Sequence, residues 1–355
     1  MANRVTAAVT GTGRYLPPEK VDNFQLYEMG TLRDSFNVEQ ARASLKEIDG
    51  ADALSDPEVF DHWARQVTGI EVRRKLTPES GLTTEDMCAS ASLTALDAAG
   101  REPTDIDLML VASLTGSDEV PNVACTVAKK IGAPQLGGYT INAACAGFVY
   151  AIAAGWSAIV SGLANRVLIA AGDTLTRYID YHDVRTAVLF GDGAGAVVLE
   201  RTEGDRGVLG PPAMSAEYAR DPLFMVGQGW EHEDEPFPLL HMHGGPRILR
   251  SAIAKMTEIG QRALDRAGLT WSDVDVLIPH QANLRITRGL EKQLQLPKGR
   301  VIHNIQSYGN MSASTVAITF DEVVRGLHGK LPEPATILLS AVGGGYTMGG
   351  AVLRI

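Results

Sequence analysis

Two stretches of this chain echo two others across nearly half its length, and that echo constrains the fold more than any other feature. Asp105-Ile-Asp-Leu-Met-Leu-Val is answered by Asp273-Val-Asp-Val-Leu-Ile. Gly191-Asp-Gly-Ala-Gly-Ala-Val-Val-Leu is answered by Gly345-Tyr-Thr-Met-Gly-Gly-Ala-Val-Leu. The offsets, about 168 and roughly 155 residues, suggest two copies of one unit with insertions. Chance likeness between glycine-rich strand ends is the competing reading. Apolar β-rich runs alternate with helical stretches, the pattern of an α/β fold. Strands are expected at 4–11, 108–113, 167–171, 194–200, 274–278, 336–341 and 351–355, and helices at 84–98, 123–131, 146–162, 246–267 and 283–294. No low-complexity linker interrupts the chain, so the halves are read as 1–203 and 204–355. Residues 29–61 are polar, fit neither copy and read as a surface insertion with short helices.

A chain of 355 residues can bury a large core. Its net charge of −10 argues against nucleic-acid binding, which needs a basic face to displace phosphate counterions. A small basic patch for a phosphorylated ligand remains compatible with that balance. Cys88, Cys125 and Cys145 cannot all pair, which suits a reducing cytoplasm. The apolar run before Gly11-Thr-Gly13 is too short for a signal peptide. No charge occurs between Lys130 and Arg166, and 147–164 is long enough to span a bilayer. Gly155, Ser157, Ser161 and Gly162 dilute that run, so a buried core helix is expected and no membrane partner.

Three segments carry chemistry. Ile141-Asn-Ala-Ala-Cys145-Ala-Gly-Phe reads as a strand end, a small-residue turn and a helix start. A thiol at the opening of a helix is expected to have its pKa lowered by the dipole. Cys88 and Cys125 lie inside helical patterns and are expected to be structural, buried thiols. In Leu277-Ile-Pro-His280-Gln-Ala-Asn283 the histidine follows a strand, where α/β folds place their chemistry. Asn304-Ile-Gln-Ser-Tyr308-Gly-Asn310-Met-Ser312 is a turn leading into an apolar helix, and its polar residues could equally be turn and cap residues. A cysteine, a histidine and an asparagine at three strand or turn exits point to nucleophilic catalysis.

The chain resembles the β-ketoacyl-acyl-carrier-protein synthase III family of the thiolase-like superfamily. The motifs that carry the resemblance are Gly11-Thr-Gly-Arg-Tyr-Leu-Pro17, Asn142-Ala-Ala-Cys-Ala-Gly-Phe148, Phe190-Gly-Asp-Gly-Ala-Gly195, Pro279-His-Gln-Ala-Asn283, Tyr308-Gly-Asn310 and Gly343-Gly-Gly-Tyr-Thr-Met-Gly349. The resemblance implies a five-layered α-β-α-β-α fold of two similar halves and a homodimer. It makes Cys145 the acyl-accepting nucleophile, with His280 and Asn310 completing a triad. The backbone N–H groups of Cys145 and Gly344 would form the oxyanion hole. An acyl-CoA would acylate Cys145. Malonyl-CoA or a malonyl-acyl-carrier protein would then undergo decarboxylative condensation, with no metal or other cofactor.

The same resemblance assigns Trp63 and Arg177 to the CoA adenine, Phe190, Asn283 and Gly244 to the substrate channel, and Arg285 to docking of the acyl-carrier protein. Two positions depart from the family pattern. Val67 stands where a basic residue is usual, and Val120 where a bulky aromatic caps the acyl pocket in members using short acyl groups. Longer or branched acyl groups, and a specialised natural-product or fatty-acid role, follow as expectations. Two alternatives are an acyltransferase that passes its acyl group to an oxygen or nitrogen acceptor and a non-catalytic partner subunit. Thiolase-type chemistry is a further relative. Gly11-Thr-Gly lacks the third glycine of a dinucleotide fingerprint, and Gly191-Asp-Gly-Ala-Gly lacks the Lys-Ser/Thr of a phosphate loop. His241, His243 and His232 are read as solvated residues rather than metal ligands.

Overall fold

The computed structural model describes residues 5–29, 31–45, 50–220, 222–225 and 239–355. One sheet is built from β1 (Val5–Tyr15), β2 (Leu108–Ala112), β3 (Gly138–Ile141), β4 (Arg166–Thr174) and β5 (Asp192–Glu203), in the order β1-β5-β4-β2-β3. The other is built from β6 (Gly207–Val208), β7 (Ala213–Ala219), β8 (Val276–Pro279), β9 (Thr336–Gly343) and β10 (Gly345–Arg354), in the order β8-β9-β10-β6, with β7 also on β10.

The sequence echo is a topological one. In the first sheet β4 lies parallel to β2 and antiparallel to β5. In the second, β9 lies parallel to β8 and antiparallel to β10. The echoing segments therefore supply β2 and β8, and β5 and β10, the two neighbours of β4 in the first sheet and of β9 in the second. Continuing outward, β1 pairs antiparallel with β5 as β7 does with β10.

Two helices separate the sheets. They are Gly147–Val160 and Ser314–Val324, each packed against strands of both sheets. Between them lies an apolar core that includes Phe148, Ile152, Val197, Phe320 and Leu339. The run long enough for a membrane span is thus the central helix of a layered fold. Among the described residues, no helix is long and apolar enough to cross a membrane. Thr84–Ala99 covers the outer face of the first sheet, and Gly245–Ala267 that of the second. These give the five layers.

The Gly11-Thr-Gly motif is explained by the first of these contacts. A Cβ on Gly11 would stand 2.1 Å from the carbonyl oxygen of Ala95, and one on Gly13 would stand 2.3 Å from that of Ala91. Only glycine lets helix Thr84–Ala99 lie that close to β1. Residues 29–61 carry short helices, Thr31–Ser35 and Val38–Ser44, and the start of the helix Asp56–Thr68. Leu32, Phe36 and Leu45 bury themselves with Phe60 and Tyr27 in a separate apolar cluster. Phe36 packs on Trp63 with ring centroids 5.1 Å apart. This segment therefore builds the floor under Trp63.

Candidate active site

Cys145 sits in the helical turn Ala144–Ala146, which leads into the central helix Gly147–Val160. Ala144, just before it, has φ 46°, and Ser312, two residues after Asn310, has φ 52°. Among the described residues three non-glycine positions occupy this left-handed region, the third being Gln295. Such strain in L-residues persists where surrounding structure enforces it, commonly at functional sites. His280 follows β8, and its N–H donates to the Ser340 carbonyl at 2.8 Å, continuing the parallel pairing with β9. Asn310 lies on a loop anchored to Phe190 and Leu189; its N–H donates to the Leu189 carbonyl at 2.8 Å.

A cavity of about 400 Å³ brings these segments together. Cys145, His280, Asn310 and the Gly343–Gly344 turn line it, together with the apolar Val188, Leu189, Leu223, Met242, Ile248 and Leu249. His280 is 1% exposed, and neither ring nitrogen has a protein partner among the described residues. A buried imidazole with two unmet nitrogens is costly unless a ligand supplies the missing bonds. Burial pushes its pKa down to about 4, so the ring is neutral near pH 7. Asn310 Oδ1 accepts from the Ser312 N–H at 3.0 Å, which turns the amide so that its NH₂ is the group left to donate.

The thiol departs from expectation. Burial pushes Cys145 up to about 12, against the lowering expected at a helix start. The Asp173 carboxylate adds to the rise, while Ser312 pulls the other way. The buried Ser312 hydroxyl makes no hydrogen bond of good geometry, yet it is close enough to Cys145 and Asp173 to favour their charged forms. The sulfur is thus a neutral thiol at rest. Desolvation outweighs the helix end because the turn is enclosed between the two sheets.

Of the other residues singled out from sequence, Gly344, Trp63, Phe190, Asn283 and Arg285 line the cavity. Asn283 also caps helix Leu284–Leu294 through the Arg285 N–H, and its Nδ2 donates to the Val67 carbonyl at 2.9 Å. It therefore ties that helix to the end of Asp56–Thr68. Arg177 is not on the cavity. Its guanidinium donates to the Leu82 carbonyl at 2.9 Å, whereas Arg185, held at 2.8 and 2.9 Å by Asp183, lines the cavity. Gly244 caps Gly245–Ala267 with φ 70°, one residue outside the lining. Val120 is 89% exposed and away from the cavity of the single chain.

Cys125, expected to be buried, is exposed, because its helix turns that face outward; Cys88 is buried as expected. Sequence reasoning missed Arg185, Arg250, Leu223 and Met242 on the cavity wall. The spacing of Ile248, Leu249 and Ala252 on one amphipathic helix was the available signal. Among the described residues no His, Cys, Asp and Glu side chains converge as a metal-ligating group, and His232 lies outside those residues.

Comparison with known proteins agrees with this architecture. Residues 139–215 match the family 3-oxoacyl-[acyl-carrier-protein] synthase III, and 264–355 match the C-terminal part of the same family. The β-ketoacyl-[acyl-carrier-protein] synthase III of Cereibacter sphaeroides is 38% identical, with 99% of each chain covered. That of Geobacillus kaustophilus is 35% identical, with 98% of each covered. The crystal structure of the Aquifex aeolicus 3-oxoacyl-[acyl-carrier-protein] synthase III superposes with TM-score 0.83 at 33% identity, covering 98% of this chain and 100% of that one. The priming β-ketosynthase of the R1128 polyketide pathway superposes with TM-score 0.83 at 30% identity, covering 100% and 98%.

Proposed function

The chain belongs to the β-ketoacyl-acyl-carrier-protein synthase III family of condensing enzymes, and from that premise we propose that Cys145, His280 and Asn310 are its catalytic residues. The observation that carries the assignment is the buried, neutral His280 with both nitrogens unmet, in one cavity with the thiol and the Asn310 amide.

The reaction begins with an acyl-CoA. The Cys145 sulfur attacks the thioester carbon while its proton passes to His280, the imidazole base on the same cavity wall. Charge develops on the carbonyl oxygen, and the Cys145 and Gly344 N–H groups are suited to receive it. The C–S bond to CoA then breaks, and the leaving thiolate takes the proton back from His280. A malonyl thioester, on CoA or on an acyl-carrier protein, follows. Its C–CO₂ bond breaks, carbon dioxide leaves, and the electron pair forms an enolate. Neutral His280 and the Asn310 NH₂ each donate a hydrogen bond to the enolate oxygen. The carbanion attacks the acyl-enzyme, the Cys145 thiolate departs and regains a proton from water, and a β-ketoacyl thioester is released. No step calls for a metal or a further cofactor.

Trp63, Arg185 and Arg285 line the cavity; the first two would hold the nucleotide end of CoA, and Arg285 would meet an acidic carrier protein. The reading includes a homodimer in the cytoplasm. Its support is the position of β3 at a sheet edge, the exposed Val120 and three thiols with no disulfide. Acyl groups longer or more branched than acetyl suit the apolar walls and the small Val120.

Intact-protein mass after incubation with a panel of acyl-CoAs, followed by a malonyl thioester, tests this assignment. The acyl mass is expected on the wild type and absent from Cys145→Ser. It is then lost, with carbon dioxide release, in the wild type but slowly in Asn310→Asp. Acylation without decarboxylation would move the assignment to an acyltransferase.

A further inference from the structure

We propose that Glu322 is a positioning residue for decarboxylation, a single buried carboxylate that fixes His280 and Asn310 relative to each other. The inference rests on the catalytic roles given above for those two residues.

Between His280 and Asn310 in sequence lies the short helix Ile305–Tyr308, with Asn304 as its N-cap residue. Glu322, on the central helix Ser314–Val324, holds that short helix at both ends. Its Oε2 accepts from Asn304 Nδ2 at 2.8 Å, and its Oε1 accepts from the Tyr308 hydroxyl at 2.6 Å. Tyr308 is two residues from Asn310. On the other side, Asn304 is locked to Gln281, the neighbour of His280. Gln281 Oε1 accepts from the N–H groups of Asn304 and Ile305 at 2.9 and 3.1 Å, and its Nε2 donates to Asn304 Oδ1 at 2.7 Å. Gln281 is fully buried, and Asn304 and Glu322 nearly so.

Thus one continuous set of bonds runs from the residue beside His280, through Glu322, to the residue two before Asn310. The carboxylate is held charged. Burial alone would raise its pKa, but the bonds from His328, Tyr308 and Asn304 bring it below the ordinary range. His328 Nε2 also meets Oε2, at 2.9 Å. Two oxygens that accept three bonds cannot be replaced by an amide without turning one acceptor into a donor.

An enolate oxygen must meet both donors at once, so this geometry matters most in the decarboxylation step. Acylation of Cys145 needs His280 only as a base for the thiol and takes its oxyanion donors from the backbone, so it does not require His280 and Asn310 to be held at a fixed separation. A displacement of about 1 Å is worth on the order of 100-fold in rate.

The test measures the two half-reactions separately on the full-length protein: acyl-CoA mass transfer to Cys145, and carbon dioxide release from malonyl-CoA. Glu322→Gln and Tyr308→Phe are expected to slow carbon dioxide release by about 10–100-fold, with acylation within about threefold of wild type. Tyr308→Phe removes one hydroxyl and keeps the ring, so it tests the inference even where Glu322→Gln does not fold. Equal loss in both half-reactions, or no loss in Tyr308→Phe, overturns the positioning role. Inactivity of the wild type in both would instead overturn the proposed function.

Discussion

The proposed oxyanion hole is made of backbone and cannot be tested by removing a side chain, but Gly343 offers a way in. A Cβ on Gly343 would stand 2.7 Å from the Cys145 nitrogen, 2.7 Å from Thr347 Oγ1 and 2.9 Å from the Ala143 carbonyl oxygen. Ordinary contact begins at 3.4 Å, so Gly343→Ala must push the Cys145 backbone away by about 0.7 Å. The shift cannot be absorbed by a rotamer change, because two of the three obstructing atoms are main chain. An oxyanion donor acts over a window of about 2.7–3.1 Å, so such a displacement takes the Cys145 N–H out of it. Loss of one donor costs about 10²–10³ in rate, or roughly 3–4 kcal/mol of transition-state stabilisation. Overpacking adds about 1–3 kcal/mol of instability. The assay is single-turnover acylation followed by intact-protein mass, with thermal unfolding measured on the same sample. The expected result is a folded protein, melting a few degrees lower, that acylates about 100-fold or more slowly. A Gly343→Ala protein that acylates within about threefold of wild type would refute the reasoning.

Other predictions follow from the same geometry. Burial holds His280 near 4, below its ordinary 6.5, so the neutral donor persists as pH falls. The rate of malonyl decarboxylation should stay flat from pH 8 to about 5 and halve near 4; a midpoint near 6.5 would mean that the ring is solvated. By linkage, the stability this neutral ring contributes is full above 6.5 and is lost as pH falls from there toward 4, which acid titration of unfolding checks. Gly11→Ala, with its Cβ 2.1 Å from the Ala95 oxygen, should destabilise the protein by about 3 kcal/mol and lower Tm by several degrees; an unchanged Tm would contradict the close packing. Val120→Phe should shift the acyl-CoA preference toward shorter chains in a competition assay, and an unaltered profile would remove Val120 from the acyl site.

The sequence by itself determined the duplicated α/β plan. Its echoes are strands of equivalent rank in two sheets, and the spacing of apolar residues is local information that survives without a structure. Cys145, His280 and Asn310 could be singled out for a related reason: each stands at a strand or turn exit, among small or polar neighbours. What tertiary structure decided is the environment of those residues. A thiol at a helix start reads as acidified, yet enclosure between two sheets leaves it neutral, because desolvation depends on layers contributed by residues nearly two hundred positions away. Arg177 and Arg185 are both basic residues near one motif. Only the reach of each side chain, one to Leu82 and one beside Asp183 on the cavity, separates them. Glu322 carries no motif at all, and its link to the segments of His280 and Asn310 exists only because the chain folds Asn304 and Tyr308 onto its buried carboxylate and Gln281 onto Asn304.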